Sequence, residues 1–304
     1  MSRAAITEVD ESRHWSSRPE YLLFTADGTR ILHGSPGGII RVLDLSLRVL
    51  IKIPTENRSQ IGDWASLVDG RIILSGSSRG SYNFWDATSR TPVKFCTASR
   101  GSEGLEFTRP ASAPDDLTAQ RWERVIGDAD RWQWTPRVRN DRVANVSEGS
   151  ILVDEKPSNN RIANLNVGPR IRHYLKLSPS GKYILFQLDG SYDRYLWSID
   201  TQTVFRLDGY GHDVKDSPDG HYVAIERVHD FTIWDTRTGA LVSILDFGSF
   251  FNGEWSFSPD GRYFVAAHYK GRVKLWDMKV ALLRGPYRSN PPLKIRNGIL
   301  DFSQ

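Results

Sequence analysis

A two-part mark recurs along this chain of 304 residues, and it constrains the fold more than any other feature. A turn ending in glycine stands at Gly28 (TADG), Gly70 (LVDG), Gly181 (SPSG), Gly220 (SPDG) and Gly261 (SPDG). A second mark ending in aspartate follows 15 to 19 residues later, at Asp44, Asp86, Asp200, Asp235 and Asp277. Adjacent turn glycines lie 42, 39 and 41 residues apart. Between the marks run stretches of roughly three to five β-branched and aromatic residues bounded by Gly, Asp or Ser, such as Ile72-Ile73-Leu74, which is the pattern of short strands. Four such strands per repeat make one antiparallel sheet, and no window carries the period of a long amphipathic helix. A lone four-stranded sheet cannot bury both faces. A ring of them can, and it leaves only short protected edges.

Two columns of the repeat carry different chemistry. Six residues before the turn glycine stand Leu22, Trp64, Leu175, Val214 and Trp255, all apolar, as packing between neighbouring sheets requires. Seven residues before it stand Tyr21, Asp63, Tyr174, Asp213 and Glu254, a mixture of acids and tyrosines. The second column reads either as the polar lining of a wet channel or as a ring that engages a partner.

The paired marks, clearest in Ser217-Pro218-Asp219-Gly220 with Trp234-Asp235 and in Ser258-Pro259-Asp260-Gly261 with Trp276-Asp277, resemble the WD-repeat β-propeller family. The resemblance covers residues 21–97 and 174–278. It implies an all-β fold: a single closed propeller of four-stranded antiparallel blades spanning residues 1–304. The 111 residues from Gly70 to Gly181 divide into three steps of 37 or two of about 55, and the shorter step is nearer the family's roughly 40–45. The expectation is therefore seven blades with residues 98–173 as degenerate blades; six blades with an insertion there is the alternative. Within that stretch Arg121 to Ile126 with Arg131 to Trp134, and Ser150 to Val153 with Arg161 to Leu165, read as paired strands. Leu105 to Thr108 reads as the innermost strand of the third blade. The outer strand of the last blade is either Ala4 to Val9 or Leu293 to Ile295. Residues 279–304 read as a basic tail, with Lys279, Arg284, Arg288, Lys294 and Arg296 and no acid up to Leu300.

The chain departs from the family pattern where that pattern is polar. Members carry Gly-His before the innermost strand and Asp-Gly before the Trp strand, and these hold each blade through buried hydrogen bonds. Here Gly211-His212 is the one good match to the first. The second site holds Gly37-Gly38, Arg79-Gly80, Val228-His229 and Lys270-Gly271, so the Asp is missing. Blade rigidity is then expected from aromatic packing. Arg79, His229 and Lys270 are expected on the top rim with Asp63, Asp213 and Glu254, and these six form the candidate partner-binding face. A second candidate patch is Arg121, Trp122, Arg131, Trp132 and Trp134, since Trp and Arg are enriched in protein contacts.

Catalytic signatures are missing. Seven scattered histidines show no zinc-motif spacing, and Cys96 is the sole cysteine, which excludes an internal disulfide and a cysteine metal cage. No GxSxG elbow or phosphate-binding loop is present. The recurrent Asp27, Asp69, Asp219 and Asp260 sit in turns, where Asp satisfies local backbone donors. No catalytic residue, metal or cofactor is expected. The net charge of +4 is too small to mark a dedicated nucleic-acid binder, which leaves the basic tail as the one route to nucleic acid. Apolar runs of about five residues fall far short of the roughly 18 a membrane helix needs. The lack of a signal-like apolar core points to the cytoplasm, or to the nucleus in a eukaryote. Taken with the resemblance, the reading is a non-catalytic scaffold or adaptor for other proteins, a subunit of a larger complex. A propeller hydrolase or lyase with axial carboxylates is the alternative.

Overall fold

The turn that ends in glycine closes in one way at its four described positions. Gly28, Gly181, Gly220 and Gly261 hold φ between 68° and 71°, the left-handed region that glycine enters without strain. Each donates its amide to the carbonyl three residues earlier, on Thr25, Ser178, Ser217 or Ser258, at 2.8–2.9 Å. The hydroxyl of that same residue accepts the amide five positions on, from Arg30, Tyr183, Tyr222 or Tyr263. Where the turn carries Asp, its carboxylate accepts that hydroxyl and the amide two residues later: Thr25 and Thr29 for Asp27, Ser217 and His221 for Asp219, Ser258 and Arg262 for Asp260. Burial pushes the Asp27 carboxyl up, but the hydrogen bonds from Thr25 and Thr29 outweigh it and bring it below the ordinary value. The second mark is equally local: Asp44 accepts the amides of Ser46 and Arg48, and Asp235 those of Arg237 and Thr238. These aspartates build turns, as the sequence suggests.

This computed structural model describes residues 5–10, 21–25, 27–35, 39–54, 61–67, 72–77, 81–86, 93–101, 104–108, 142–147, 149–156, 158–168, 171–178, 181–190, 193–207, 213–248, 250–251, 253–268, 272–283, 288–289, 292–296 and 299–300. Among them the strands form six sheets, antiparallel except for one pair at Asn166 and Ile299. Sheet I holds Tyr21–Phe24, Arg30–Ser35, Ile39–Asp44 and Val49–Pro54. Sheet II holds Ile61–Leu67, Ile72–Ser77, Ser81–Asp86, Val93–Gly101 and a fifth strand, Gly104–Thr108. Sheet III holds Arg142–Ser147, Ser150–Glu155 and Asn160–Asn166, extended by Ile299–Leu300 and Ile295–Arg296. Sheet IV holds Ile171–Leu177, Tyr183–Leu188, Arg194–Ser198 and Thr203–Leu207. Sheet V holds Val214–Asp216, Tyr222–Glu226, Asp230–Asp235 and Ala240–Asp246, with Arg288–Ser289 beyond. Sheet VI holds Gly253–Phe257, Tyr263–His268 and Arg272–Asp277, with Ala5–Asp10 as its fourth strand. One short helix, α1 (Met278–Leu282), follows sheet VI.

The register is common to the repeats. Leu22 faces His33, Trp64 faces Ser75, Leu175 faces Phe186, Val214 faces Ile225 and Trp255 faces Ala266, each pair eleven residues apart. A shared register turns the apolar column of the sequence into a shared position in the sheets. Leu22, Val214 and Trp255 are buried and Leu175 is half-buried; the Trp64 side chain lies outside the described residues.

The chain divides into two compact units. Sheets III, IV and V belong to the unit of residues 137–251 and 278–304, and sheets I, II and VI to the unit of residues 5–136 and 252–277. Inside each unit a strand feeds two cores, one per face, because successive side chains point opposite ways. In sheet IV, Ile184 and Phe186 pack with Ile151, Val153 and Leu165 of sheet III. The alternate residues Tyr183 and Leu185 pack with Val223, Ile225 and Trp234 of sheet V. In the other unit Leu32 joins Trp85 of sheet II, and Ile31 joins Val265, Val273 and Leu275 of sheet VI. This is the double-faced burial that a lone sheet could not achieve.

Three expectations need correction or completion. Leu105 to Thr108 is not an innermost strand: Gly104–Thr108 folds back antiparallel on Val93–Gly101 and forms the outer edge of sheet II. A hairpin contact this local forms at less entropic cost than a new sheet. The fourth strand of sheet VI is the N-terminal one, with Glu8 facing Lys274 and Val9 facing Val273. The C-terminal alternative is spent elsewhere, since Leu293 bridges to Val204. In the described parts of 279–304, Ala281 and Leu300 are buried at 1% and 3% exposure, while Lys279, Val280, Leu283, Pro292 and Lys294 are exposed. Residues 109–141, where a further blade was expected, lie outside the described residues.

Candidate functional site

Of the six rim candidates, the structure brings Asp213 and His229 to one end of sheet V. The turn between Tyr222–Glu226 and Asp230–Asp235 sets this end. Its neck is closed by the Arg227 amide donating to the Asp230 carbonyl at 2.8 Å. The loop after Ala240–Asp246 is tied to it, with the Phe251 amide donating to the Val228 carbonyl at 2.7 Å and the Phe247 amide to the His229 carbonyl at 3.0 Å. Asp213 enters beside it, its carbonyl accepting the Glu226 amide at 2.9 Å. Turn, loop and strand entry are therefore one hydrogen-bonded body.

Its side chains sort by depth. Phe231, Phe247 and Phe251 are buried and meet edge to face, at centroid distances of 4.8 and 4.9 Å. Above them Phe250 is 55% exposed and Val228 36% exposed. The His229 ring meets Phe250 edge-on at 6.5 Å. Carboxylates flank the aromatic surface. Asp213 is exposed, caps its own strand by accepting the Val214 amide at 2.8 Å, and lies 3.7 Å from Lys215 Nζ. Asp230 is half-buried beside Arg227 at 3.2 Å. Burial lifts the Asp230 carboxyl above its ordinary value and Asp246 adds to the lift, while Arg227 opposes it. An exposed aromatic on a rigid aromatic base, rimmed by charge, suits the anchoring of a partner side chain.

The other candidates are distributed as follows. Glu254 is half-buried in sheet VI, facing Ala267. Asp63 lies on a strand of sheet II, and its side chain is outside the described residues. Arg79, Lys270, Arg121, Trp122, Arg131, Trp132 and Trp134 all lie outside the described residues. The sequence reading missed Phe250 and its supports. The signal was present in Phe247-Gly248-Ser249-Phe250-Phe251, three phenylalanines in a connecting loop where polar residues are the rule. Among the described residues no group of His, Cys, Asp or Glu could hold a metal ion, and no helix is long and apolar enough to cross a membrane.

The polar network of sheets IV and V can be read at their tryptophans. In sheet V, Trp234 Nε1 donates to the buried Thr232 Oγ1 at 3.0 Å. In sheet IV, Trp197 Nε1 is buried with no hydrogen-bond partner among the described residues. The residue two before it is Tyr195, stacked on Phe186 at 5.4 Å.

Residues 254–277, which are sheet VI without its N-terminal strand, match the family model described as WD domain, G-beta repeat. Among solved structures the chain is similar to the β-propeller domain of Cps50 (Swd1) from Myceliophteria thermophila. That alignment has 16% identity and a TM-score of 0.46, and it covers 90% of this chain and 98% of that one. No curated protein matches.

Proposed function

We propose that the chain, whose residues 254–277 match the WD-repeat model, is a divergent WD-repeat propeller and a non-catalytic scaffold that holds other proteins, with the exposed end of sheet V as a docking point. The observation that carries this reading is the pairing of Phe250 and His229 above a buried base of three phenylalanines. An exposed Phe costs little if water-solvated alone, but a preorganised aromatic body loses little entropy on binding. Asp213 adds direction, because exposed charge orients an encounter more than it tightens it. The proposal takes residues 1–304 as one interaction domain and keeps Asp63, Glu254, Arg79 and Lys270 as further rim contacts. It places the protein among the subunits of a larger complex.

The test is affinity capture of the full chain from cells, with partners identified by mass spectrometry, then repeated with Phe250→Ser and His229→Ala. The expected result is loss of a recovered partner from both variants with the melting temperature nearly unchanged. Partners retained by both variants, and lost instead with Arg79→Glu and Lys270→Glu, would move the contact away from sheet V.

A further inference from the structure

Each of the first four strands of sheet V carries an acid at the end where the Phe250 loop is tied. Asp213 precedes Val214–Asp216, Glu226 ends Tyr222–Glu226, Asp230 begins Asp230–Asp235, and Asp246 ends Ala240–Asp246. The strand register brings them into one row. The Asp213 carbonyl accepts the Glu226 amide, Glu226 faces Phe231, and Asp230 faces Asp246 directly. The corresponding strand ends of sheet IV hold Leu188, Arg194 and Leu207, so the row is particular to sheet V and is no general property of the repeat.

Like charges directly opposite one another destabilise a strand pair. Asp230 is offset by Arg227 at 3.2 Å. Asp246 is exposed and accepts the Gly248 amide at 2.7 Å; among the described residues it has no ion pair. The Asp213 side chain is 51% exposed, with Lys215 Nζ 3.7 Å away. Burial and then Asp246 lift the Asp230 carboxyl above its ordinary value, and the second of these reports a negative field at this end. The whole chain carries a net charge of +4, so that field is local and opposite in sign to the molecule. Bonded to the row is the aromatic surface of Phe250 and His229, whose loop and turn are joined by the Phe247 amide and the His229 carbonyl. A ring face attracts a cation, and a planar guanidinium both stacks on rings and matches carboxylates. An acidic segment would add to the repulsion within the row, and a purely apolar one would leave it in place.

We infer that the exposed end of sheet V takes a basic segment of a partner protein, seating an arginine against Phe250 within the field of Asp213 and Asp246. The inference rests on the docking point proposed above and adds the chemistry of its occupant. Asp213 and Asp246 set the specificity through charge alone. Their local structural work is to accept the Val214 and Gly248 amides, which an amide oxygen does equally well.

Fluorescence anisotropy on the full chain tests this, with three labelled peptides in which glycine alternates with arginine, with lysine or with glutamate. The arginine peptide binds most tightly, the lysine peptide less so, and the glutamate peptide not at all. Asp213→Asn and Asp246→Asn each weaken the arginine peptide about 2- to 5-fold, the range for one exposed charge contact, and the double variant weakens it further. Phe250→Leu keeps an apolar side chain but removes the ring face, and weakens the arginine peptide about 2- to 5-fold. Glu155→Gln, which removes an exposed acid from sheet III, changes nothing, and the melting temperature stays the same in every variant. Three results would overturn the inference: no binding of the arginine peptide, binding that Asp213→Asn and Asp246→Asn together leave intact, or a glutamate peptide that binds as well. A glutamate peptide that binds and is lost with Phe250→Ser would leave the docking point standing while removing its basic occupant. Loss of the docking point itself is read separately, by the partners that Phe250→Ser and His229→Ala still capture.

Discussion

Sheets IV and V share a core, yet they hold their tryptophans in opposite ways. Trp234 of sheet V spends its indole N–H on Thr232, two residues earlier on the same strand. Trp197 of sheet IV has Tyr195 at that position and leaves its N–H buried without a hydrogen bond among the described residues. An orphaned buried donor costs about 1–3 kcal/mol. Sheet IV offsets this with apolar contact: all of Arg194–Ser198 is buried, and Tyr195 stacks on Phe186. The difference teaches that the polar network is one means of holding such a sheet, and that aromatic packing from both sides is another. Sheet V also keeps an exposed, aromatic end.

The contact between the two sheets can be broken in ways that scale with what is buried. Asp216 of sheet V is 4% exposed, accepts the Tyr183 hydroxyl of sheet IV, and lies 3.2 Å from Lys176 Nζ. Asp216→Ala takes the acceptor from the Tyr183 hydroxyl and the carboxylate from Lys176, which is 36% exposed and keeps the Val214 carbonyl, and is expected to cost about 3 kcal/mol, the upper end for losing a charged hydrogen-bond acceptor. Denaturant unfolding reads it, and Asp216→Asn should cost less. Gly239→Ala comes next. Gly239 holds φ at 65°, and an added Cβ would stand 2.3 Å from the Phe205 ring of sheet IV. Backbone strain and overpacking together predict a loss of about 2–4 kcal/mol in the same measurement.

Sheet I offers a pH-dependent counterpart. His33 is fully buried, and burial, with the Arg41 guanidinium beside it, pushes its pKa down to about 3. Unfolding raises that affinity for protons to the ordinary value near 6.5. The unfolded chain therefore takes up a proton first as pH falls, and stability is lost from about pH 6.5 downward until about pH 3. At pH 5 the expected loss is about 2 kcal/mol, at 1.36 kcal/mol per pH unit. His33→Leu should flatten this slope in unfolding curves taken at pH 7 and pH 5.

How much of this could be read from the residues depends on the kind of interaction. The turn glycines, their Asp partners and the column through Leu22, Val214 and Trp255 were legible, because each is set by local chemistry or by a period. Strand Gly104–Thr108 was misassigned because edge pairing is made by backbone and leaves no side-chain period. Leu293 to Ile295 was legible as a strand, but its partner was not: the bridge of Leu293 to Val204 of sheet IV is a backbone contact at an edge and leaves no side-chain period. At the candidate site Asp213 and His229 were found through their repeat columns, whereas Phe250 sits in a loop that no column covers.

The most direct test of the comparison is the pair Trp197→Phe and Trp234→Phe, each measured by equilibrium denaturation. Both lose the same apolar area. Trp234→Phe also gives up a hydrogen bond, while Trp197→Phe removes a donor that had no acceptor. The account predicts that the change in sheet V costs about 2 kcal/mol more than the change in sheet IV. Equal costs, or a larger cost at Trp197, would contradict it.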